Sequence, residues 1–316
     1  MRLLWICDSW SAINNPTETT IRLMEESLKL GHQSWYCDAR TIVLERKKLQ
    51  IRATRIHRKK GVLSIADMFT VKTIASFDKV FLRFDPSFDL SYFHKLKLLC
   101  YESTKKDVRF EIINDPAILL THDSKITAEL FLAGDTASTL FSCDWEILKE
   151  FGISNKKVVA KPIGSFSGVG VQLLDFNSSR GIAEAGKIIK DMTADFSQHI
   201  LLQEYIDIFT HGEIRIWFAC GKIICVVQKK LKGPDFRFNL DHGDELRKYQ
   251  LTAHEKKIAA RIGLFLKKRG IKMAAIDLIN SKIIDFNISS PGLLKEMEDT
   301  WGQNFSNDIM QLVMGA

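Results

Sequence analysis

The chain has little of what would mark a special environment. Proline occurs only six times in 316 residues, and there is no low-complexity tract or internal repeat, so extended linkers and repeat architectures are excluded. No apolar run approaches the roughly 20 residues needed to span a bilayer. The opening Met1-Arg-Leu-Leu-Trp-Ile-Cys-Asp8 carries too short an apolar run for a secretion signal. The six cysteines (7, 37, 100, 143, 220 and 225) show neither metal-ligand spacing nor a secreted framework, and read as reduced thiols of a cytoplasmic protein. A Walker G-K-[ST] ending is absent, and no Cys-His or Ser-His pair suggests nucleophilic catalysis. What remains is a globular composition, 46% hydrophobic and 26% charged, on a chain long enough for two or three packed subdomains.

The formal charge of +7 is unevenly placed. Eight Lys/Arg residues lie between Arg46 and Lys60, interleaved with Leu49, Ile51 and Ile56. Such a segment can bind nucleic acid or an anionic surface. The alternation instead suggests a half-exposed hairpin, and the segment lacks aromatic stacking platforms. Nucleic acid and membrane are not expected as partners, a polyanionic substrate remains open, and so does homo-oligomer formation.

Residues 2–7 read as an apolar strand ending at Cys7-Asp8, followed by an amphipathic helix from about Thr19 to Leu30 with Gly31 as its stop. Ser34–Cys37 and Asp78–Arg83 read as further strands, and strand–helix–strand order implies a parallel α/β layer. Ligands gather at the carboxyl ends of such strands, where Asp8, Arg83 and Asp85 fall. Phe110–Asn114 reads as another strand, and a helix from Asp123 to Leu132 carries Lys125. After Phe151 the pattern turns to antiparallel β, with strands at Lys157–Lys161, Val171–Asp175, Leu201–Tyr205, Ile214–Ala219 and Ile223–Lys229. Thr252–Arg269 has helical spacing and ends at Gly270. The expected units are 1–120, 121–200 and 201–316.

Chemistry concentrates in two places. In Ala275 to Gly292 two apolar runs flank Asn280-Ser281-Lys282, which predicts a three-residue hairpin turn. Folding about Ser281 would set Asp277 opposite Asp285, with Asn287 on the same face as Asp285. Like charges so placed destabilise a sheet, so the pattern reads either as a hard-cation site, most naturally Mg²⁺ with a phosphorylated ligand, or as the solvated face of an edge hairpin. The second place is the loop Gly164-Ser-Phe-Ser-Gly168-Val-Gly170 between two strands, with Lys161 upstream in Val-Val-Ala-Lys-Pro. Three glycines let backbone N–H groups turn toward a polyanion, and a mobile β-turn is the alternative. Gln203-Glu204-Tyr205-Ile206, at a strand end, and Glu213 could hold a nucleoside, or could be ordinary strand residues.

Taken together, these residues resemble the prokaryotic glutathione synthetases of the ATP-grasp superfamily over nearly the whole chain. Arg83-Phe-Asp-Pro-Ser-Phe-Asp89 is similar to the family's R-K-D-P-P-F-D, and Ile113-Asn-Asp-Pro116 to its V-N-x-P. Val159-Ala-Lys-Pro-Ile-Gly164, Arg237-Phe-Asn239, and Asp277 through Asp285-Phe-Asn-Ile-Ser-Ser-Pro291 follow in the family's order. The resemblance implies an ATP-grasp fold, α/β plus α+β: a parallel α/β N-terminal domain, a small lid, and an antiparallel domain that grips ATP. It implies an ATP-dependent carboxylate–amine ligase working through an acyl phosphate, with γ-glutamylcysteine and glycine as the first substrates to consider.

By the same resemblance Lys125 and Lys161 contact ATP phosphates, and Gly164, Ser165, Ser167, Gly168 and Gly170 cover them. Gln203, Glu204, Tyr205, Ile206 and Glu213 hold the nucleoside. Asp277, Asp285 and Asn287 hold Mg²⁺, for which Mn²⁺ could substitute. Arg215, Arg237 and Asn239 stabilise the transferring phosphate. Arg83, Asp85, Ser289 and Ser290 face the substrate.

The chain departs from the family pattern in substrate-facing regions. Asp285 stands where the family has glutamate, and Phe84 where lysine is usual. Ser290-Pro-Gly-Leu-Leu-Lys-Glu296 and Phe236-Arg-Phe-Asn-Leu240 look closer to ribosomal-protein glutamate ligases, and Asp241-His-Gly243 replaces a glycine-rich continuation. A peptide- or protein-modifying ligase drawing an acidic acceptor to the 46–60 segment, and a catalytically silent nucleotide-binding module, are the alternatives.

Overall fold

The computed structural model describes residues 1–59, 61–105, 108–122, 125–132, 134–164, 168–240 and 243–315. Three sheets follow one another along the chain. The first contains β1 (Arg2–Cys7), β2 (Gln33–Asp38), β3 (Val43–Glu45), β4 (Lys48–Lys59), β5 (Val62–Ile65), β6 (Thr70–Thr73), β7 (Lys79–Arg83) and β8 (Glu111–Ile113). The second contains β9 (Thr139–Ser142), β10 (Lys157–Pro162), β11 (Gln172–Asp175) and β12 (Ile200–Glu204). The third contains β13 (Glu213–Ala219), β14 (Lys222–Lys230), β15 (Glu245–Lys248), β16 (Met273–Ile279) and β17 (Lys282–Asn287).

In the first sheet β1 pairs in parallel with β2 and β7, and β7 with β8. The parallel register places Cys7 beside both Asp38 and Arg83, so Asp8 and Arg83 meet at one carboxyl edge. β1 and β7 read as unbroken apolar runs because both faces are covered, leaving only Arg2 of their residues exposed. β3 to β6 form an antiparallel arm hung on β2 through β4. Leu49, Ile51 and Ile56 are buried while the interleaved Lys48, Arg52, Arg55 and Arg58 are exposed, the alternation expected of a half-exposed hairpin.

The second and third sheets are wholly antiparallel, in the orders β11-β10-β12-β9 and β15-β14-β13-β16-β17. Cores separate the sheets differently. Leu4, Ile6 and Leu82 of the first sheet share one cluster with Ile214, Ile216 and Ile276 of the third. The small second sheet has its own, built from Leu148, Val158, Ala160, Ile189 and Leu202. Asn114 staples the first and third sheets. Its amide nitrogen donates to the carbonyls of Met273 (2.7 Å) and Ile288 (2.6 Å), and its oxygen accepts from the backbone of Lys272 and Met273. A buried amide so engaged has every group satisfied, which explains an asparagine in an otherwise apolar run.

The helix Ala253–Arg269 opens with a capping box between Thr252 and Glu255 and closes on left-handed Gly270, as its sequence signals require. One expected helix changes. Residues 125–126 form a turn, and the helix there is short, Thr127–Phe131, with a separate helix at Pro116–His122. Lys125 therefore sits on a turn, and Asp123 and Ser124 lie outside the described residues. Pro116 favours a helical first turn of its own at that point.

Candidate active site

The hairpin of β16 and β17 pairs Asp277 with Asp285, but not by the expected turn. Ile279 pairs with Lys282, so the loop is two residues, Asn280-Ser281, with φ of 48° and 59° at these positions. Two positive φ values define the tight hairpin turn whose twist matches the strands. That turn alone would misalign the two acids. A bulge restores them: Leu278 pairs with Ile283 and Asp277 with Asp285, leaving Ile284 as the extra residue.

The solvated-hairpin alternative fails at Asp277, which is 2% exposed on a fully buried strand. Arg215, opposite it on β13, donates Nε and Nη2 to its two carboxylate oxygens at 2.7 and 2.6 Å. Lys229 on β14 adds a third contact at 3.2 Å and also pairs with Glu213. Burial pushes the Asp277 carboxyl up, but Arg215 and Lys229 outweigh it and hold it well below the usual range. Arg215 is correspondingly raised by Asp277 against the pull of burial. Glu213 goes the other way: burial raises it, with Lys229 opposing and Asp277 reinforcing.

Lys229 went unnoticed in the sequence. It lies in phase with buried Cys225 and Val227, but Ile-Ile-Cys-Val-Val offers no alternation by which to read that phase.

Lys161 crosses from the second sheet to the third. Its Nζ donates to Gln203 Oε1 at 2.8 Å and to the carbonyl of Ile284, the bulged residue beside Asp285, at 2.9 Å. Burial lowers its pKa, Asp285 opposes this, and Lys125 is close enough to lower it further. Gln203 also donates to Thr139 at 3.1 Å. Glu204 accepts from the Ser138 backbone, the Tyr205 hydroxyl donates to Asp207 at 3.3 Å, and Ile206 is half-buried at the same strand end.

Ser165 and Ser167 lie outside the described residues. The flanking glycines are placed: Gly168 and Gly170 both have φ of +72°, and a Cβ on Gly170 would come within 2.9 Å of Pro162. A Cβ on Gly164 would lie 3.8 Å from the Ser87 carbonyl, and one on Gly168 4.0 Å from Arg237 Cδ. Gly164 thus lies beside Ser87 in the Arg83–Asp89 segment, and Gly168 beside Arg237. Arg237 itself is half exposed and paired with Asp235 at 2.7 Å, outside the Asp277 cluster. Asn239 donates its backbone N–H to Asp244 at 2.8 Å.

At the carboxyl edge of the first sheet Arg83 is 1% exposed. Its Nε donates to Thr20 (3.0 Å), its Nη2 reaches the Pro291 carbonyl (3.2 Å) and lies 3.9 Å from Glu18, and its Nη1 is buried with no partner among the described residues. Burial lowers its pKa, with Glu18 and Asp85 opposing. Asp85 keeps an exposed edge, yet desolvation and then Asp8 push its carboxyl up; it hydrogen-bonds Ser290, and its backbone N–H donates to Asp8 at 2.8 Å. Ser289 is buried next to it in sequence.

Asp285 and Asn287 lie side by side on β17, 3.3 Å apart through Oδ2 and Nδ2, across from Asp277. Two carboxylates and an amide are hard oxygen donors, which suits Mg²⁺ or a similar ion rather than a soft metal. Among the described residues no group of three or more His, Cys, Asp or Glu could hold a metal. The set is therefore incomplete alone and fits an ion whose other positions are filled by phosphate oxygens and water.

Comparison with known proteins agrees along the chain. The model of the prokaryotic glutathione synthetase N-terminal domain matches residues 1–119, and that of the prokaryotic glutathione synthetase ATP-grasp domain matches residues 124–302. The glutathione synthetase of Prochlorococcus marinus is 27% identical over 99% of each chain. That of Nostoc is 24% identical over 99% of this chain and 98% of its own. The crystal structure of the D-cycloserine synthetase DcsG superposes with a TM-score of 0.68 at 16% identity, covering 99% of this chain and 100% of that one, which shows the shared fold. Among the described residues no helix is long and apolar enough to cross a membrane. With both family domains matched in order and the acidic hairpin, glycine loop and buried lysine in place, the chain belongs to the prokaryotic glutathione synthetase family of ATP-dependent, C–N bond-forming ATP-grasp ligases.

Proposed function

We propose that the chain joins γ-glutamylcysteine to glycine at the expense of ATP, passing through an acyl phosphate. The observation that carries this reading is Lys161, which hydrogen-bonds Gln203 within its own sheet and the Ile284 carbonyl beside Asp285 in the other. A buried cation at that junction suits phosphates lying between the two sheets. Lys125 and the 164–170 loop would bind the same phosphates, and Gln203 to Ile206 with Glu213 the nucleoside. Asp277, Asp285 and Asn287 would hold the divalent ion, Mg²⁺ in this reading, which when bound neutralises phosphate charge. Arg215 already gives Nε and Nη2 to Asp277, leaving Nη1 for the transferring phosphate. Arg237, freed from exposed Asp235, and Asn239 would approach from the loop side.

Nη1 of Arg83, which has no partner among the described residues, is suited to a substrate carboxylate, with Asp85, Ser289 and Ser290 beside it. Attack by the substrate carboxylate on the γ-phosphate gives the acyl phosphate and ADP. Attack by the amine then forms the amide and releases phosphate. The three units 1–120, 121–200 and 201–316 would act as substrate platform, lid and nucleotide base. The six free thiols suit a reducing, cytoplasmic setting. Hydroxylamine tests the intermediate. With ATP, Mg²⁺ and γ-glutamylcysteine but no glycine, it should capture a hydroxamate in step with ADP release; ADP release without hydroxamate would count against the acyl phosphate.

A further inference from the structure

Residues 43–73 contain nine Lys/Arg and two Asp/Glu, a net +7, which is the formal charge of the entire chain; the rest is neutral. Such segregation is not needed for solubility, which a dispersed charge supplies equally well. The same arm exposes large apolar side chains: Val43 (48%), Met68 (81%), Phe69 (50%) and Val71 (59%). Register puts cation and aliphatic groups on one face. Val43 pairs with Gln50 and Val71 with Arg52, and Lys48, Gln50 and Arg52 alternate outward along β4. The Arg52 guanidinium stacks 4.8 Å over Phe69. The opposite face is committed, since Leu49, Ile51 and Ala53 enter the main core. Among the described residues β6 pairs only with β4, so its other edge is open.

The arm also points somewhere. β4 runs antiparallel to β2 with Ala53 opposite Cys37, so Arg52 comes level with Asp38 and residues 51 back to 48 continue past the carboxyl end of β2. At about 3.3 Å per residue they overhang that end by roughly 13 Å. It is the edge at which Cys7 pairs with Arg83. An open cleft of about 510 Å³ is lined in part by Ile42, just before β3, by Arg40, which pairs with Asp38, and by His94 and Lys95. Lys95 ends 5.3 Å over the ring of Phe84, the neighbour of Arg83.

We propose that the β3–β6 arm, which overhangs the carboxyl edge of the first sheet, docks an acidic, extended polypeptide with interspersed apolar side chains. The open edge of β6 supplies main-chain pairing, outward Lys48 and Arg52 supply charge complementarity, and exposed Val71 beside that edge receives an apolar side chain. A phosphodiester chain would use the cations but leave the aliphatic groups uncovered. Docking does not depend on the ligase reading.

The test is anisotropy of a labelled twelve-residue peptide alternating Glu or Asp with Leu or Phe, measured without ATP on the full chain. The expected result is binding that weakens with salt and falls about tenfold in a Lys48→Ser, Arg52→Ser double variant. A Val71→Ser variant should also bind several-fold more weakly with its salt slope unchanged, which plain charge attraction would not give. Thermal melting, and ADP release with small substrates where it is seen, should be unaltered in these variants. Because binding is read without turnover, a failed ligase assay leaves the result intact. Absence of peptide binding would overturn the proposal. So would all-glutamate peptide, duplex DNA or phosphatidylglycerol vesicles binding as tightly, with Val71→Ser without effect.

Discussion

Asp277 is buried, and its two oxygens carry three hydrogen bonds from Arg215 and Lys229. Breaking a buried pair costs more than the pair contributes, because the remaining charges stay buried. Asp277→Ala should therefore lose about 3–5 kcal/mol in urea unfolding as well as activity. Since its folded pKa is depressed, its stabilisation is complete above the unfolded value and is lost as pH falls toward the folded one. Wild-type stability should drop below about pH 4, and Asp277→Asn should show a shallower drop over the same range. Asp285, half-buried and hydrogen-bonded among the described residues to the Phe286 backbone and Asn287, is the contrasting case. Asp285→Ala should leave the urea midpoint nearly unchanged while reducing ADP release by about 100-fold or more. Asp285→Glu should lower the Mg²⁺ concentration needed for half-maximal rate if the shorter acid limits metal capture. The facing of Asp277 and Asp285 was legible from their spacing. Lys229 was not, since burial phase cannot be read in an unbroken apolar strand.

Among elements, the β16–β17 hairpin teaches most. The expected pairing of the acids holds, but through a two-residue turn plus a bulge rather than a three-residue loop. A single chain of apolar residues cannot distinguish these, because both preserve the pairing four residues from Ser281. The bulge has a purpose the symmetric loop would lack: it frees the Ile284 carbonyl for Lys161. Ser281, at φ +59°, occupies a position glycine adopts without penalty. Ser281→Gly should raise stability by about 1 kcal/mol in thermal or urea melts with turnover unaffected. Asn114 joins two sheets with four hydrogen bonds, so Asn114→Ala should lose roughly 3 kcal/mol or more by the same measurement. Parallel strands β1, β2 and β7 and the helix Ala253–Arg269 were readable from apolar runs and caps. Lys125 was misplaced on a helix because a turn and a short amphipathic stretch share the same apolar spacing.

At the scale of the molecule, the first and third sheets share a core while the second keeps its own, and Lys161 reaches from the second to the third. In the proposed function the second sheet is the lid that closes on phosphates and keeps water from an activated acyl group. The family was legible from motif order, whereas the substrate was less so, because the departures at Phe84 and the segment after Ser290 lie beside Arg83, in the proposed substrate site, and that at Asp285 in the proposed metal site. Coupled measurement of ADP over a panel of carboxylates and amines, with product identified by mass, addresses the central claim most directly. With γ-glutamylcysteine and glycine, one ADP should form per glutathione, and release should require both partners and a divalent ion. ADP formation that ignores the amine, or none with any pair despite tight ATP binding, would contradict it.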